Sequence, residues 1–112
     1  MNYQPIAIAD VEFEIEATQD DLRIEGNAGS EESEKWINEQ LDAGNVWAWA
    51  SVHITGRFEG LEADDYLGAC SYESEEAFKQ AGGYYDDMRQ QIVDDLNAQL
   101  EKLADKLHGL AR

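Results

Sequence analysis

Two groups in this sequence are typical of covalent or metal chemistry, the thiol of Cys70 and the imidazole of His53, and a third class, the carboxylates, far outnumbers both. A thiol beside an imidazole is a nucleophilic pair if the fold brings the two together. Cys70, however, lies in an apolar-looking stretch, and His53 sits between Val52 and Ile54 with no motif around it. Each therefore reads as an ordinary strand residue. A calcium loop can be laid on the chain with Gly26 as its glycine, which puts Asp21 first, Glu25 fifth and Glu32 on the bidentate twelfth position. Arg23 then falls on the third ligand position, where a cation repels the metal, and the residues before the loop alternate like a strand. His53 and His108 have no cysteine or carboxylate at zinc-like spacing, and no glycine-rich phosphate loop is present. The expectation is a protein without catalytic residues, metal or cofactor.

What remains is the arrangement of the acids. There are 25 Asp and Glu against eight Lys and Arg, a formal charge of −17. Doublets recur at Asp20-Asp21, Glu31-Glu32, Asp64-Asp65, Glu75-Glu76, Asp86-Asp87 and Asp94-Asp95. Between Gly60 and Ala77 the acids Glu62, Asp64, Asp65, Glu73, Glu75 and Glu76 occur with no Lys or Arg among them. Glu12, Glu14 and Glu16 alternate with Val11, Phe13, Ile15 and Ala17, so in a strand they stand roughly 6 to 7 Å apart on one face. Such a row imitates the repeating charge of a nucleic acid backbone. Trp47 and Trp49 are the aromatic candidates for anchoring a partner, on what reads as one strand face. Core packing is their competing reading.

This charge argues against contact with nucleic acid phosphates or an anionic membrane, both of which are bound through clustered Lys and Arg. A basic protein surface is the partner it fits, with Glu12, Glu14, Glu16, Glu62, Asp64, Asp65, Glu73, Glu75, Glu76, Asp86, Asp87, Trp47 and Trp49 as the expected contact residues. The plainer reading is that the charge serves solubility alone.

The elements that must position these residues follow from periodicity. Val11–Ala17 reads as a half-buried strand, and Leu22 and Ile24 as a short return strand within a turn-rich segment. Ser30 caps a helix to about Ala43, with Glu31, Glu32 and Glu34 at the positive end of its dipole. Val46–Phe58 reads as the longest strand, with Val46, Ala48, Ala50, Val52, Ile54 and Phe58 facing one way. An acidic turn over Gly60–Asp65 leads to a short strand, Tyr66–Tyr72. Ser74 begins a short helix that Gly82-Gly83 breaks. From Tyr84 onward Val93, Leu96, Leu100, Leu103, Leu107 and Leu110 mark a long helix. Its seam either packs on the chain's own sheet or pairs two chains in a homodimer.

The expected fold is therefore α+β: an antiparallel sheet of three or four strands with two or three helices and a long C-terminal helix, in one domain over residues 1–112. A single cysteine excludes an internal disulfide and points to a reducing compartment. No secretory signal is readable at Met1–Pro5 and no stretch approaches the ~20 apolar residues of a membrane span. The cytoplasm is the expected location.

The segment Asp65-Tyr66-Leu67-Gly68-Ala69-Cys70-Ser71-Tyr72-Glu73-Ser74-Glu75-Glu76, with Gly83-Tyr84-Tyr85-Asp86-Asp87-Met88, resembles stretches of small phage and prophage proteins. In size, acidity and lack of an enzymatic signature the chain is also similar to phage anti-defence proteins, the anti-CRISPR and DNA-mimic inhibitors. The resemblance implies an inhibitor that docks an acidic surface into the basic channel of a nucleic-acid-binding host defence complex. It carries over no functional residue.

Overall fold

The computed structural model describes residues 4–110. Three strands, β1 (Glu12–Gln19), β2 (Ala50–Phe58) and β3 (Leu61–Cys70), form one antiparallel sheet in the order β1-β2-β3. Three helices join them: α1 (Glu31–Asp42) between β1 and β2, then α2 (Glu75–Gln80) and the 27-residue α3 (Tyr84–Leu110). The fold is thus α+β as expected, with the three-strand form of the sheet and a long C-terminal helix.

Alternation decides which side of the sheet is dry. Phe13, Ile15 and Ala17 of β1, Ala50, Val52 and Ile54 of β2, and Leu61, Ala63 and Leu67 of β3 all lie in the main core. Met88, Ile92, Val93 and Leu96 of α3 cover them. At Gly56 helix and sheet approach closely, since a Cβ there would stand 2.5 Å from Ile92 Cγ2. Asn97 ties the N-terminal segment to the helix: its Oδ1 accepts from the Ile6 amide at 2.7 Å and its Nδ2 donates to the Ile6 carbonyl at 3.0 Å. The caps fall where serines sit, Ser30 Oγ accepting from the Ser33 amide and Ser74 Oγ from the Ala77 amide, each at 3.1 Å.

Three local expectations are corrected. Leu22 and Ile24 form no return strand; Asp20 accepts the Leu22 amide at 2.7 Å, which turns the chain, and Ile24 packs beside Trp49 instead. Strand β3 begins at Leu61 rather than Tyr66, so the acidic turn is a two-residue hairpin loop, Glu59-Gly60, with φ of 47° and 83°. Acids are poor strand formers by propensity, but pairing with β2 outweighs that here.

The third correction concerns the tryptophans. Val46–Trp49 is a 3-10 turn, not the start of β2, and the Asn45 side chain accepts from the Trp47 amide at its head. Three residues per turn send side chains two apart in widely different directions. Trp47 accordingly meets Phe78 in the main core, with ring centroids 5.4 Å apart. Trp49 joins Ile37 and Ala48 in a second cluster under α1.

Candidate functional site: an open carboxylate face

The side of the sheet away from α3 is lined by the alternate residues of each strand. Pairing fixes the rows: Glu12, Arg57 and Glu62 in one, Glu14, Thr55 and Asp64 in the next, Glu16, His53 and Tyr66 in the third. The outer strands therefore carry two columns of acid, Glu12-Glu14-Glu16 on β1 and Glu62-Asp64 on β3. They are separated by the width of β2, about 10 Å, and repeat along each strand every 6 to 7 Å. All five carboxylate residues are exposed.

The central column is what holds two acidic edges together. Arg57 reaches Glu14 through Nη1 at 2.9 Å and Glu62 through Nε at 3.2 Å, which spans the sheet from edge to edge. Those two carboxylates, Glu14 first, raise the affinity of the guanidinium for its proton above the ordinary value. His53 Nε2 lies 2.9 Å from Asp64 Oδ2, and its ring stacks on Tyr66 with centroids 4.0 Å apart and planes 2° from parallel. Tyr66 is 63% exposed, so its outer face is free to receive a flat cation such as a guanidinium. Thr55, beneath these groups, is the buried polar residue of the face.

Of the residues expected to bind a partner, the structure brings together Glu12, Glu14, Glu16, Glu62 and Asp64. Asp65, though adjacent to Asp64, pairs with core-facing Ile54 and so lies on the opposite side of the sheet. Glu73, Glu75, Glu76, Asp86 and Asp87 lie elsewhere, around α2 and the start of α3. Some of that charge is compensated, by Lys79 on Glu75 at 3.3 Å and by Arg89 on Asp86. Trp49 is 3% exposed and gives its Nε1 hydrogen to the Leu22 carbonyl at 2.8 Å, so it presents no contact surface. Trp47 is partly buried in the main core.

Arg57, His53 and Tyr66 belong to the face although they are not among the expected contact residues. The usable signal was the strand parity of Ser51, His53, Thr55 and Arg57, opposite to that of Val52 and Ile54.

Cys70 is buried on the core side, where its thiol donates to the Leu67 carbonyl at 3.5 Å, so it does not meet His53 on the open face. Desolvation, with a smaller contribution from the Asp20 charge, pushes that thiol up to about 11. Among the described residues no three His, Cys, Asp or Glu converge as a metal site, and no helix is long and apolar enough to cross a membrane. A half-open depression of about 530 Å³ between α1 and β3 is lined by Glu32, Ser33, Trp36, Trp49 and Ser71 among others. No protein family, curated protein or solved structure matches the chain.

Proposed function

We propose that the protein is a binding inhibitor that sets its open carboxylate face against a basic, nucleic-acid-binding groove of another protein. The setting suggested by the sequence resemblance is a phage protein that blocks a bacterial defence complex of the CRISPR or restriction type. The observation that supports this most is the pair of carboxylate columns, five exposed acids on the side of the sheet away from α3, crossed by Arg57 from edge to edge. Opposite charge steers such a face to its target, and Tyr66 supplies a stacking surface at its margin. Nucleic acid itself is repelled.

The test is competition. Labelled duplex bound to a guide-loaded or restriction nuclease is titrated with the protein, and displacement is read by fluorescence anisotropy. The expected result is displacement that weakens steeply with added salt. Reversing Glu14, Glu16, Glu62 and Asp64 to lysine abolishes it, while reversing Glu76 and Asp87 leaves most of it. Equal loss in both sets, or no displacement from any basic nuclease at low salt, defeats the reading.

A carboxylate metal protein gains no support, since no ligand set converges among the described residues. A dimeric accessory role keeps one favourable observation, the outer end of α3.

A further inference from the structure

At 1.5 Å per residue α3 is about 40 Å long, more than the sheet beneath it needs. Its apolar seam runs at spacings of three and four, but its surroundings change along the way. Met88, Ile92, Val93 and Leu96 are buried by this chain's own sheet. Gln99 makes a late polar tie, donating from Nε2 to the Glu62 carbonyl at 2.8 Å near the β2–β3 hairpin tip. Beyond it Leu103 is 44% exposed and Leu107 48% exposed. Leu61, Leu103 and the stems of Lys102 and Lys106 border a shallow depression of about 240 Å³ beside that tip.

Charge distinguishes this end of the molecule from the rest. Residues 99–110 hold Glu101 and Asp105 against Lys102 and Lys106, so they are neutral and the chain's −17 lies outside them. Two copies approaching anywhere else bring strongly negative surfaces together. Here apolar side chains meet without that cost.

We propose that the outer turns of α3 are a self-association surface, on which a second copy of this chain packs antiparallel, tail to tail, about a two-fold axis. Leu103 of each copy lies against Leu107 of the other, continuing in the partner the seam that this chain's own core occupies up to Leu100. The antiparallel sense follows from electrostatics. It places the two acidic bodies at opposite ends, whereas a parallel pair sets them side by side. It also lays the Lys106 flank of one copy along the hairpin tip of the other, where Glu59 stands and where the depression between Leu61 and Leu103 opens. Two short helical ends bury less than the roughly 1,200 Å² of a standard stable interface, so the pair is reversible and concentration-dependent. The carboxylate face has no part in this contact, so the association stands or falls independently of the inhibitory role.

Sedimentation and light scattering of the full chain test it. Between about 5 and 500 µM the mass rises from the 12.6 kDa of one chain toward twice that. Leu103→Glu with Leu107→Glu holds the protein at the mass of one chain throughout, with unchanged helical circular dichroism, since both positions are half exposed. Lys106→Glu leaves the leucines intact and weakens association by up to about fivefold. Small-angle scattering of the dimer gives a longest dimension near 110 Å, against 65 Å for one chain. A mass of one chain at every concentration overturns the proposal. So do a dimer that survives the double leucine change, a dimer little longer than one chain, and an outer helix that binds phosphatidylglycerol vesicles while the protein stays monomeric.

Discussion

The carboxylate of Asp20 accepts the backbone amide of Ala69 at 2.8 Å, joining the end of β1 to the irregular end of β3 across 49 residues of sequence. Ala69 is held at a φ of 53°, a left-handed conformation uncommon for a residue with a Cβ, at the bulge where pairing shifts between Ala50 and Val52. The same carboxylate accepts the Leu22 amide at 2.7 Å, and Leu22 in turn offers its carbonyl to Trp49. One short acid thus organises a turn, a bulge and the roof of the second core cluster.

That arrangement has a pH dependence of known sign. The Ala69 and Leu22 amides, in that order, hold the Asp20 carboxyl below its usual range. The folded state therefore binds this proton less readily than the unfolded chain, and the stability Asp20 contributes is present above about pH 4 and lost as pH falls through its depressed folded value. Asp20→Asn should lower the melting temperature at pH 7 by a few degrees, corresponding to about 1 kcal/mol for a group still partly in solvent. The gap between variant and parent should close as thermal melts are repeated toward pH 3. A gap that stays constant over that range contradicts the assignment.

Gly56 sits where α3 packs tightly on the sheet. A Cβ there meets Ile92 Cγ2 at 2.5 Å, Val11 Cγ1 at 3.0 Å and Phe13 Cε1 at 3.3 Å, all side chains packed in the core. Gly56→Ala should cost about 1 to 3 kcal/mol in urea denaturation by forcing the helix outward or the rings off their rotamers. Gly44→Ala, in open space but at a φ of 90°, separates backbone strain from crowding as the comparison.

Arg57 crosses the open face between Glu14 and Glu62 and is the cation set among the five acids there. Arg57→Gln leaves their mutual repulsion uncompensated. Its melting temperature should fall below the parent's at low ionic strength, and the deficit should shrink as sodium chloride is raised toward 1 M, where the screening length is only about 3 Å. A salt-independent deficit would mean that Arg57 acts through packing of its stem rather than its charge.

Cys70 is both buried and, as a thiol pushed up to about 11, protonated at neutral pH. Because the thiolate is the reactive form, a disulfide reagent at pH 8 should label the native protein far more slowly than the urea-unfolded chain. Fast labelling of native protein would show that the β3 end opens readily, or that Cys70 is not where the core places it.

The helices and their serine caps, the parity of β1, and the order of strands and helices are all local matters, and residue types repeated at short range determine them. Ser30 and Ser74 cap whatever helix follows, and Glu12, Glu14 and Glu16 share a face in any strand they form. Which acids stand near one another is not local, because a side chain's neighbours across a sheet depend on register. Asp64 and Asp65 are adjacent in the chain yet fall on opposite faces, while Glu14 and Glu62 are far apart in the chain and share one guanidinium. The tryptophans show the same limit. Their alternation with small residues reads as a strand, but each packs into a different one of two separate cores, and a 3-10 turn delivers them there. The amino-acid order alone determined that this would be an acidic α+β protein. Only tertiary packing, through strand register and the competition of two cores for bulky side chains, decided which acids form a surface and which aromatics leave it.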